Sequence, residues 1–393
     1  MSRAVIVGAG PAGLMAAEML ARAGHDVTVA DAKPSFGRKF LMAGKSGLNL
    51  TKADPLAQLK TAYDTQHLHP ILAAFDPDQI QDWARGLGQD LFTGTTGRVF
   101  PRAMKASPLL RAWLARLDEL GVARRTRWRW TGWDGPALTF DTPDGAQQLH
   151  ADVTVLAMGG ASWSRLGSDG AWAPLLAAQG VEITPFQAAN AGVAINWSAH
   201  MQPHFGAPLK GVAFSAGKLT SRGEAILSRN GLEGGGIYSV SAGLRDGAPL
   251  LVDLVPDLSA EALQKRLTSK RAKSSLTHWL RGSLRLTMQK IALFHEMTAG
   301  QTLRPDDWVR MLKALPIVNA GLAPIDHAIS TAGGVSFAAM TDQLMLRTRP
   351  GTFCAGEMLD WDAPTGGYLL SACFATGRWA GQGAVDWLAA QSG

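Results

Sequence analysis

The run Ala4-Val5-Ile6-Val7-Gly8-Ala9-Gly10-Pro11-Ala12-Gly13 decides the fold class of this chain. Its first four residues are apolar and mostly β-branched, which reads as a buried strand. The glycines follow at the spacing G-x-G-x-x-G, and a helical stretch from Leu14 to Ala23 stops at Gly24. Asp26-Val27-Thr28-Val29-Ala30 then reads as a second strand, ending at Asp31. Together they form a βαβ unit with a dinucleotide fingerprint in place. Gly8 permits the tight turn, Gly10 lets the backbone approach a pyrophosphate, and Gly13 lets helix pack on strand. Pro11 and Ala12 stand at the helix start, whose free N–H groups and positive dipole end face the phosphates. Asp31 lies where a carboxylate accepts from a ribose hydroxyl. NAD and FAD share this turn, so the fingerprint leaves the dinucleotide open.

The length of 393 residues suggests two or three domains. With 46% hydrophobic and 18% charged residues, disorder is excluded as the dominant state. Two cysteines, Cys354 and Cys373, exclude a disulfide scaffold and a four-cysteine zinc site, and their apolar context suggests buried thiols. No apolar run is long enough for a transmembrane helix. Ala4 to Ala17 is uncharged, but Gly8, Gly10, Pro11 and Gly13 interrupt it, which argues against a secretory signal. A cytoplasmic location is the expectation.

Three further segments read as walls of the same site. Gly37 to Thr51 is glycine-rich, basic and free of acid, suited to a phosphate, though a solvated loop is the alternative. Val153 to Met158 reads as a strand closed by Gly159-Gly160, where an open α/β sheet places ligands. Thr352 to Ala355 reads as another strand, followed by Gly356-Glu357, Asp360, Asp362, Gly366-Gly367 and a helix from Leu369 to Leu388. Glu357 and Asp360 are either ligands or solvated acids.

These stretches resemble the BaiN/YhiN-like (aminoacetone oxidase-like) NAD(P)/FAD-dependent flavoproteins, within the two-dinucleotide-binding flavoprotein fold. The resemblance rests on Val5–Gly13, the Gly37–Thr51 loop, Gly97-Arg98-Val99-Phe100-Pro101 and Ala157-Met158-Gly159-Gly160. It extends to Thr331-Ala332-Gly333-Gly334-Val335 and to Gly356-Glu357 with Asp360 and Gly366-Gly367-Tyr368. Two departures mark a side branch. Gly47-Leu48-Asn49 stands where many relatives have Arg-Cys-Asn, and Tyr368-Leu369-Leu370-Ser371 where many have Tyr-Asn-Leu-Gln. The resemblance implies noncovalent, extended FAD, with NADH or NADPH as a transient electron donor. It places Gly8, Gly10, Pro11, Ala12 and Gly13 at the pyrophosphate and Asp31 at the adenosine ribose. Arg38, Lys39, Gly44, Asn49, Leu50 and Thr51 would lie along the cofactor, and Gly159 and Gly160 beside the adenosine. Gly356 and Glu357 would meet the ribityl or pyrophosphate region, and Gly367, Tyr368 and Leu369 the isoalloxazine.

The expected fold class is α/β: an FAD-binding Rossmann-like domain with an inserted β-rich and helical domain. Residues 1–187 and 323–393 would form the discontinuous FAD domain, 188–258 a β-rich insert and 259–322 a helical insert. Arg124, Arg125, Arg127 and Arg129, interleaved with Trp128 and Trp130, read as one half-buried strand, with Arg125, Arg127 and Arg129 facing away from the tryptophans. Gly231 to Gly236 lacks a strand–helix context and is not a second fingerprint. Between Ser259 and Lys290, Lys265, Arg266, Lys270, Arg271, Lys273, Arg281, Arg285 and Lys290 face a single acid, Glu261. This is either a solvated face or a docking surface for nucleic acid, RNA included, or another anion. His67 with His69 and His200 with His204 lie beside prolines, and no metal site is expected.

The resemblance implies an FAD-dependent oxidoreductase that reduces an activated carbon–carbon double bond, on a steroid-like molecule or on a uracil of ribosomal RNA. Hydride would pass from flavin N5 to the β-carbon, and an acid would protonate the α-carbon. Lys45, Tyr368 and His327 are candidates for that acid by motif proximity alone. A small-molecule substrate leads; alternatives are an RNA-modifying flavoprotein anchored by the basic segment and a flavin-bound sensor without turnover.

Overall fold

The apolar run that opens the chain forms β1 (Arg3–Val7), the centre of a five-stranded sheet. The computed structural model describes residues 1–268 and 275–392; Lys270, Arg271 and Lys273 of the basic segment lie outside them. The chain divides into two units, Met1–Gln187 with Ser330–Gly393, and Ala188–Ile329.

In the first unit, α1 (Pro11–Arg22) leads from β1 to β2 (Asp26–Asp31). The segment read as a loop contains α2 (Arg38–Ala43), a short helix of good helix formers between Gly37 and Gly44. A small antiparallel sheet pairs β3 (Thr51–Lys52) and β4 (Leu91–Thr93) with the central β5 (Arg98–Pro101); α3 (Pro77–Arg85) lies between β3 and β4 in sequence. After α4 (Ala106–Glu119) come β6 (Ala123–Thr126), β7 (Arg129–Asp134), β8 (Ala137–Thr142), β9 (Gly145–Leu149) and β10 (Val153–Leu156). β11 (Thr352–Cys354) and α5 (Tyr368–Ser392) close the unit.

The main sheet runs β11–β10–β1–β2–β6, and every neighbouring pair is parallel. Val5 pairs with Thr154 on one side and Thr28 on the other. Both faces of β1 are covered, which explains its unbroken apolar sequence. α5 lies against α1 at backbone distance: a Cβ on Gly377 would sit 2.2 Å from the Ala12 carbonyl oxygen, and one on Gly381 2.9 Å from the Ala16 Cα. Small residues on both helices allow this approach.

A buried carboxylate ties α1 to α3 and α4. Glu18 Oε1 accepts from Arg22 (2.8 Å) and Arg116 (3.1 Å), and Oε2 accepts from the indoles of Trp113 (2.8 Å) and Trp83 (3.3 Å). Burial pushes the Glu18 carboxyl up, but the Arg22, Trp83 and Arg116 donors outweigh it and hold it below the ordinary value.

The arginine–tryptophan stretch is not one strand. Arg127 takes φ 59°, so the chain breaks between β6, the outer parallel strand, and β7, which begins an antiparallel meander with β8 and β9. The break swings Arg125 over the Trp128 ring, 5.8 Å from its centroid, instead of away from it. Arg124 pairs with Asp118 and Arg129 with Asp169.

The second unit has its own core, which includes Phe214, Phe294, Trp279 and Leu280. Its seven-stranded antiparallel sheet takes strands from both 188–258 and 259–322, because Leu315–Pro316 and Ala320–Leu322 add to it at opposite edges. The two expected inserts therefore build one unit. Gly231–Glu233 is a strand that passes into a one-turn helix, Gly235–Tyr238, so a strand–helix succession is present after all. Its strand neighbours are antiparallel, so it is not a dinucleotide turn. Of the basic segment, Lys290 is buried and donates to the carbonyls of Gly211 and Leu254, both at 2.7 Å. Its charge serves the core rather than the surface.

Candidate active site

The glycine turn is sterically fixed at two of its three positions. Gly8 has φ 101°, and a Cβ there would lie 2.3 Å from the Ala157 carbonyl oxygen; one on Gly13 would lie 1.9 Å from that of Gly8. Gly10 differs: φ is −82°, and nothing lies within 4 Å of an added Cβ. The helix that starts at Pro11 has no side-chain cap and no acid in its first turn. Its free N–H groups and positive end thus face open space, the setting that accepts a phosphate. Asp31 accepts from the backbone N–H groups of Ala9 and Lys33, both at 2.8 Å, which pins the turn to the end of β2. Burial pushes its carboxyl up against those two donors. A carboxylate has further acceptor sites, so a ribose hydroxyl can still be received.

Three distant stretches meet at Lys39. Its ammonium, on α2, lies 2.6 Å from Glu357 Oε2, 2.8 Å from Ser162 Oγ and 3.4 Å from Ser168 Oγ. Glu357 Oε1 accepts from the Thr331 N–H at 3.1 Å, and the Thr331 hydroxyl accepts from the Ala161 N–H at 3.3 Å. A Cβ on Gly160 would fall 1.9 Å from that hydroxyl oxygen. The Gly159 carbonyl accepts from the Trp172 indole, and the Gly356 N–H donates to Thr376. The segment after β11 is thereby tied to α2 by a half-buried ion pair, and the segment after β10 by the Ser162 and Ser168 hydroxyls.

Among the described residues, Arg38 Nε, next to Lys39 in sequence, and Asn49 Oδ1 are buried without a hydrogen-bond partner. Such atoms are costly to strand, and a polar ligand satisfies them. Leu50 is fully buried. Gly44 packs on α4 rather than facing the open turn: its Cβ would lie 2.7 Å from the Ala106 nitrogen. Lys45 is exposed just beyond α2.

A second polar cluster stands at the start of α5. Tyr368 donates from Oη to Asp54 Oδ2 (2.6 Å) and accepts from Lys52 Nζ (3.0 Å), while Lys52 and Asp54 pair at 3.0 Å. Tyr63 donates to the Tyr368 carbonyl at 2.7 Å, and Thr51 bonds Ser371 at 2.7 Å. A Cβ on Gly367 would lie 2.4 Å from the Thr51 carbonyl carbon, so α5 starts hard against β3. Leu369 is half-buried one residue on. Burial, then the Asp54 carboxylate, pushes the Tyr368 phenol up. Lys52 is also held above its ordinary value: burial lowers it, and its bonds to Tyr368 and Asp54 more than compensate. His327 lies in the second unit, exposed on the turn Ile325–His327. Ser162, Ser168, Lys52, Asp54 and Tyr63 escaped the sequence reading. Lys52 and Asp54 directly follow Thr51, the last residue of the recognised loop.

Among the described residues, no group of three His, Cys, Asp or Glu side chains could hold a metal ion. No described helix is long and apolar enough to cross a membrane.

A parallel sheet, a glycine turn before an uncapped helix and a buried donor and acceptor without partners, Arg38 Nε and Asn49 Oδ1, suit a dinucleotide bound by a Rossmann-type protein. The chain belongs to the HI0933-like family of FAD-dependent oxidoreductases: the profile of the HI0933-like protein Rossmann domain matches residues 2–383. It is 27% identical to the 3-dehydro-bile acid delta(4,6)-reductase of Clostridium scindens, over 98% of this chain and 100% of that protein. It is 23% identical to the ribosomal RNA dihydrouridine synthase of Escherichia coli, over 99% of this chain and 98% of that one. Among solved structures, the 3-ketosteroid-delta4-(5alpha)-dehydrogenase of Rhodococcus jostii RHA1 shares the fold, with a TM-score of 0.52 at 15% identity, over 98% of this chain and 97% of that chain.

Proposed function

We propose that the protein reduces an activated carbon–carbon double bond of a small molecule, with NADH or NADPH renewing the electrons. The observation that carries this reading is the Lys39–Glu357 node, which draws α2 and the segments after β10 and β11 to one place beside the fingerprint. The bile-acid reductase that the chain resembles along its whole length points to the reaction type. When bound, FAD supplies a hydride-level reductant that a protein side chain cannot.

The chain's own residues hold and orient that cofactor. The N–H groups at the start of α1 receive the pyrophosphate, with Gly10 giving clearance. Asp31 receives the adenosine ribose. Arg38 and Asn49 give their unpartnered atoms to the cofactor's polar middle. Glu357 acts through Lys39 and the Thr331 N–H, as a strut rather than a direct ligand. Gly367, Tyr368 and Leu369 place the start of α5 near the ring. Of the three proton donors named by motif, we favour Tyr368, which stands in a polar cluster with Lys52 and Asp54, whereas Lys45 is exposed. A cytoplasmic setting, where nicotinamide nucleotides are plentiful, suits this chemistry.

The test is anaerobic bleaching of the flavin by NADH or NADPH, then reoxidation by cyclic enones. A flavin that neither nucleotide bleaches and no enone reoxidises refutes the reading. The dihydrouridine synthase relative favours a second reading, uracil reduction in RNA. It requires salt-dependent RNA binding that weakens when Lys265, Arg266, Lys270 and Arg271 are neutralised. Binding that ignores salt contradicts it.

A further inference from the structure

The small sheet β3–β5–β4 carries features that cofactor binding does not use. Side chains alternate along a strand, so Arg98 and Phe100 share one face of β5, while Val99, fully buried, and Pro101 share the other. Lys52 pairs with Arg98 across one edge, and Phe92 pairs with Phe100 across the other. All four therefore lie on one face. The two phenylalanine rings stack at 5.5 Å with planes 22° apart, and Phe92 is exposed. At the other end, Lys52 reaches Tyr368 Oη, and Asp54 anchors both. A Cβ on Gly366 would lie 3.1 Å from Arg98 Nε, so glycine there leaves the guanidinium its place. Among the described residues, the Arg98 guanidinium has no hydrogen-bond or ion-pair partner.

We propose that this face is the substrate seat: a flat ring lies on the Phe92–Phe100 pair, and a carbonyl oxygen conjugated to its double bond is held by the Arg98 guanidinium. The inference rests on the reduction proposed above and supplies its substrate class, cyclic compounds whose double bond is conjugated to a ring carbonyl. Arg98 and Phe100 are two residues apart on one strand, about 7 Å, which fits one six-membered ring and its exocyclic oxygen. A polarised carbonyl makes the β-carbon electrophilic. FAD, when bound, would supply hydride to that carbon; the π pair would then leave a negative charge on the oxygen, which Arg98 is placed to stabilise. As the carbonyl re-forms, the Tyr368 proton leaves its bond to Asp54 for the α-carbon, Lys52 passes a proton to the phenolate, and water returns one to Lys52.

The probe is para-nitrophenol, a flat, unreactive mimic of the oxyanion, titrated into the flavin-loaded protein and followed by the visible absorbance of its phenolate. The unmodified protein is expected to bind the phenolate saturably and to lower its ionisation pH. Arg98→Gln should weaken binding at least ~10-fold, the loss of a charge-assisted hydrogen bond. Phe92→Ala should weaken it about 3- to 10-fold, and Arg98→Lys should recover part of the loss. Unaltered melting temperatures show that each variant folds. Equal affinity in unmodified and Arg98→Gln protein, or no binding in either, overturns the seat. If enones are still reduced in that case, the seat fails and the reduction stands. If binding depends on Arg98 but no enone is reduced, the reduction fails and the seat stands as an anion site.

Discussion

Gly10→Ala separates damage to the cofactor site from damage to the fold. Gly10 has φ −82° and ψ −178°, a conformation that alanine adopts without strain, and no atom lies within 4 Å of the added methyl. The apoprotein should keep its stability or gain about 0.4–1 kcal/mol, because alanine has fewer unfolded conformations to lose. The methyl nonetheless projects into the space before the uncapped start of α1. A phosphate held off by it forfeits charge-assisted bonds to the helix N–H groups, worth about 1.5–3 kcal/mol, so FAD affinity should fall about 10- to 150-fold. The assay is flavin fluorescence quenching on titration into deflavinated protein, with a melting curve beside it. Gly13→Ala is the contrast: its methyl would lie 1.9 Å from the Gly8 oxygen, so α1 must shift and both stability and affinity should drop. A Gly10→Ala variant that binds FAD as tightly as the unmodified protein would refute the placement of the pyrophosphate.

Glu18→Ala should cost about 3–5 kcal/mol at neutral pH, since it leaves Arg116, the buried Trp113 indole and the half-buried Trp83 indole without their acceptor, and thermal melts check this. The folded Glu18 carboxyl lies below its unfolded value, so its contribution is fully present above about pH 4.3 and is lost as pH falls through the folded value. Melts of protein and variant should therefore converge in acid; a constant gap would contradict the ion-pair origin. Glu357→Gln and Lys39→Met should each lower the melting temperature. Their double variant should fall short of the sum by about 1–3 kcal/mol, and strict additivity would break the node. The Cys373 thiol is pushed up to about 12 and the buried Cys354 thiol upward too, chiefly by burial. Iodoacetamide at neutral pH should label the buried Cys354 only after unfolding and the half-buried Cys373 slowly, and fast native labelling of either would contradict the raised thiols.

The βαβ unit was legible because its signals are local: β-branched residues in the strand, glycines where a Cβ collides, an acid closing β2. β10, β11 and α5 were legible for the same reason. β6 was not, because Ala123-Arg124-Arg125-Thr126 is an outer strand whose exposed, charged side chains hide its place in a parallel sheet. The break at Arg127 depends on a left-handed residue that sequence does not announce. α2 was masked by the glycines that flank it. The Lys39–Glu357 pair joins residues 318 positions apart, and the Tyr368–Asp54 bond residues 314 apart. No spacing rule reaches so far; packing of α5 on β3 decides it. The second unit's sheet mixes strands from two stretches of different composition, which concealed its unity.

Titration of deflavinated protein with FAD, read by flavin absorbance and fluorescence, tests the convergence of these distant stretches most directly. One tightly held flavin per chain, weakened in the same way by Gly10→Ala near the start of the chain and by Glu357→Gln near its end, is the predicted result. A protein that takes up no flavin, or one whose flavin ignores both changes, would contradict it.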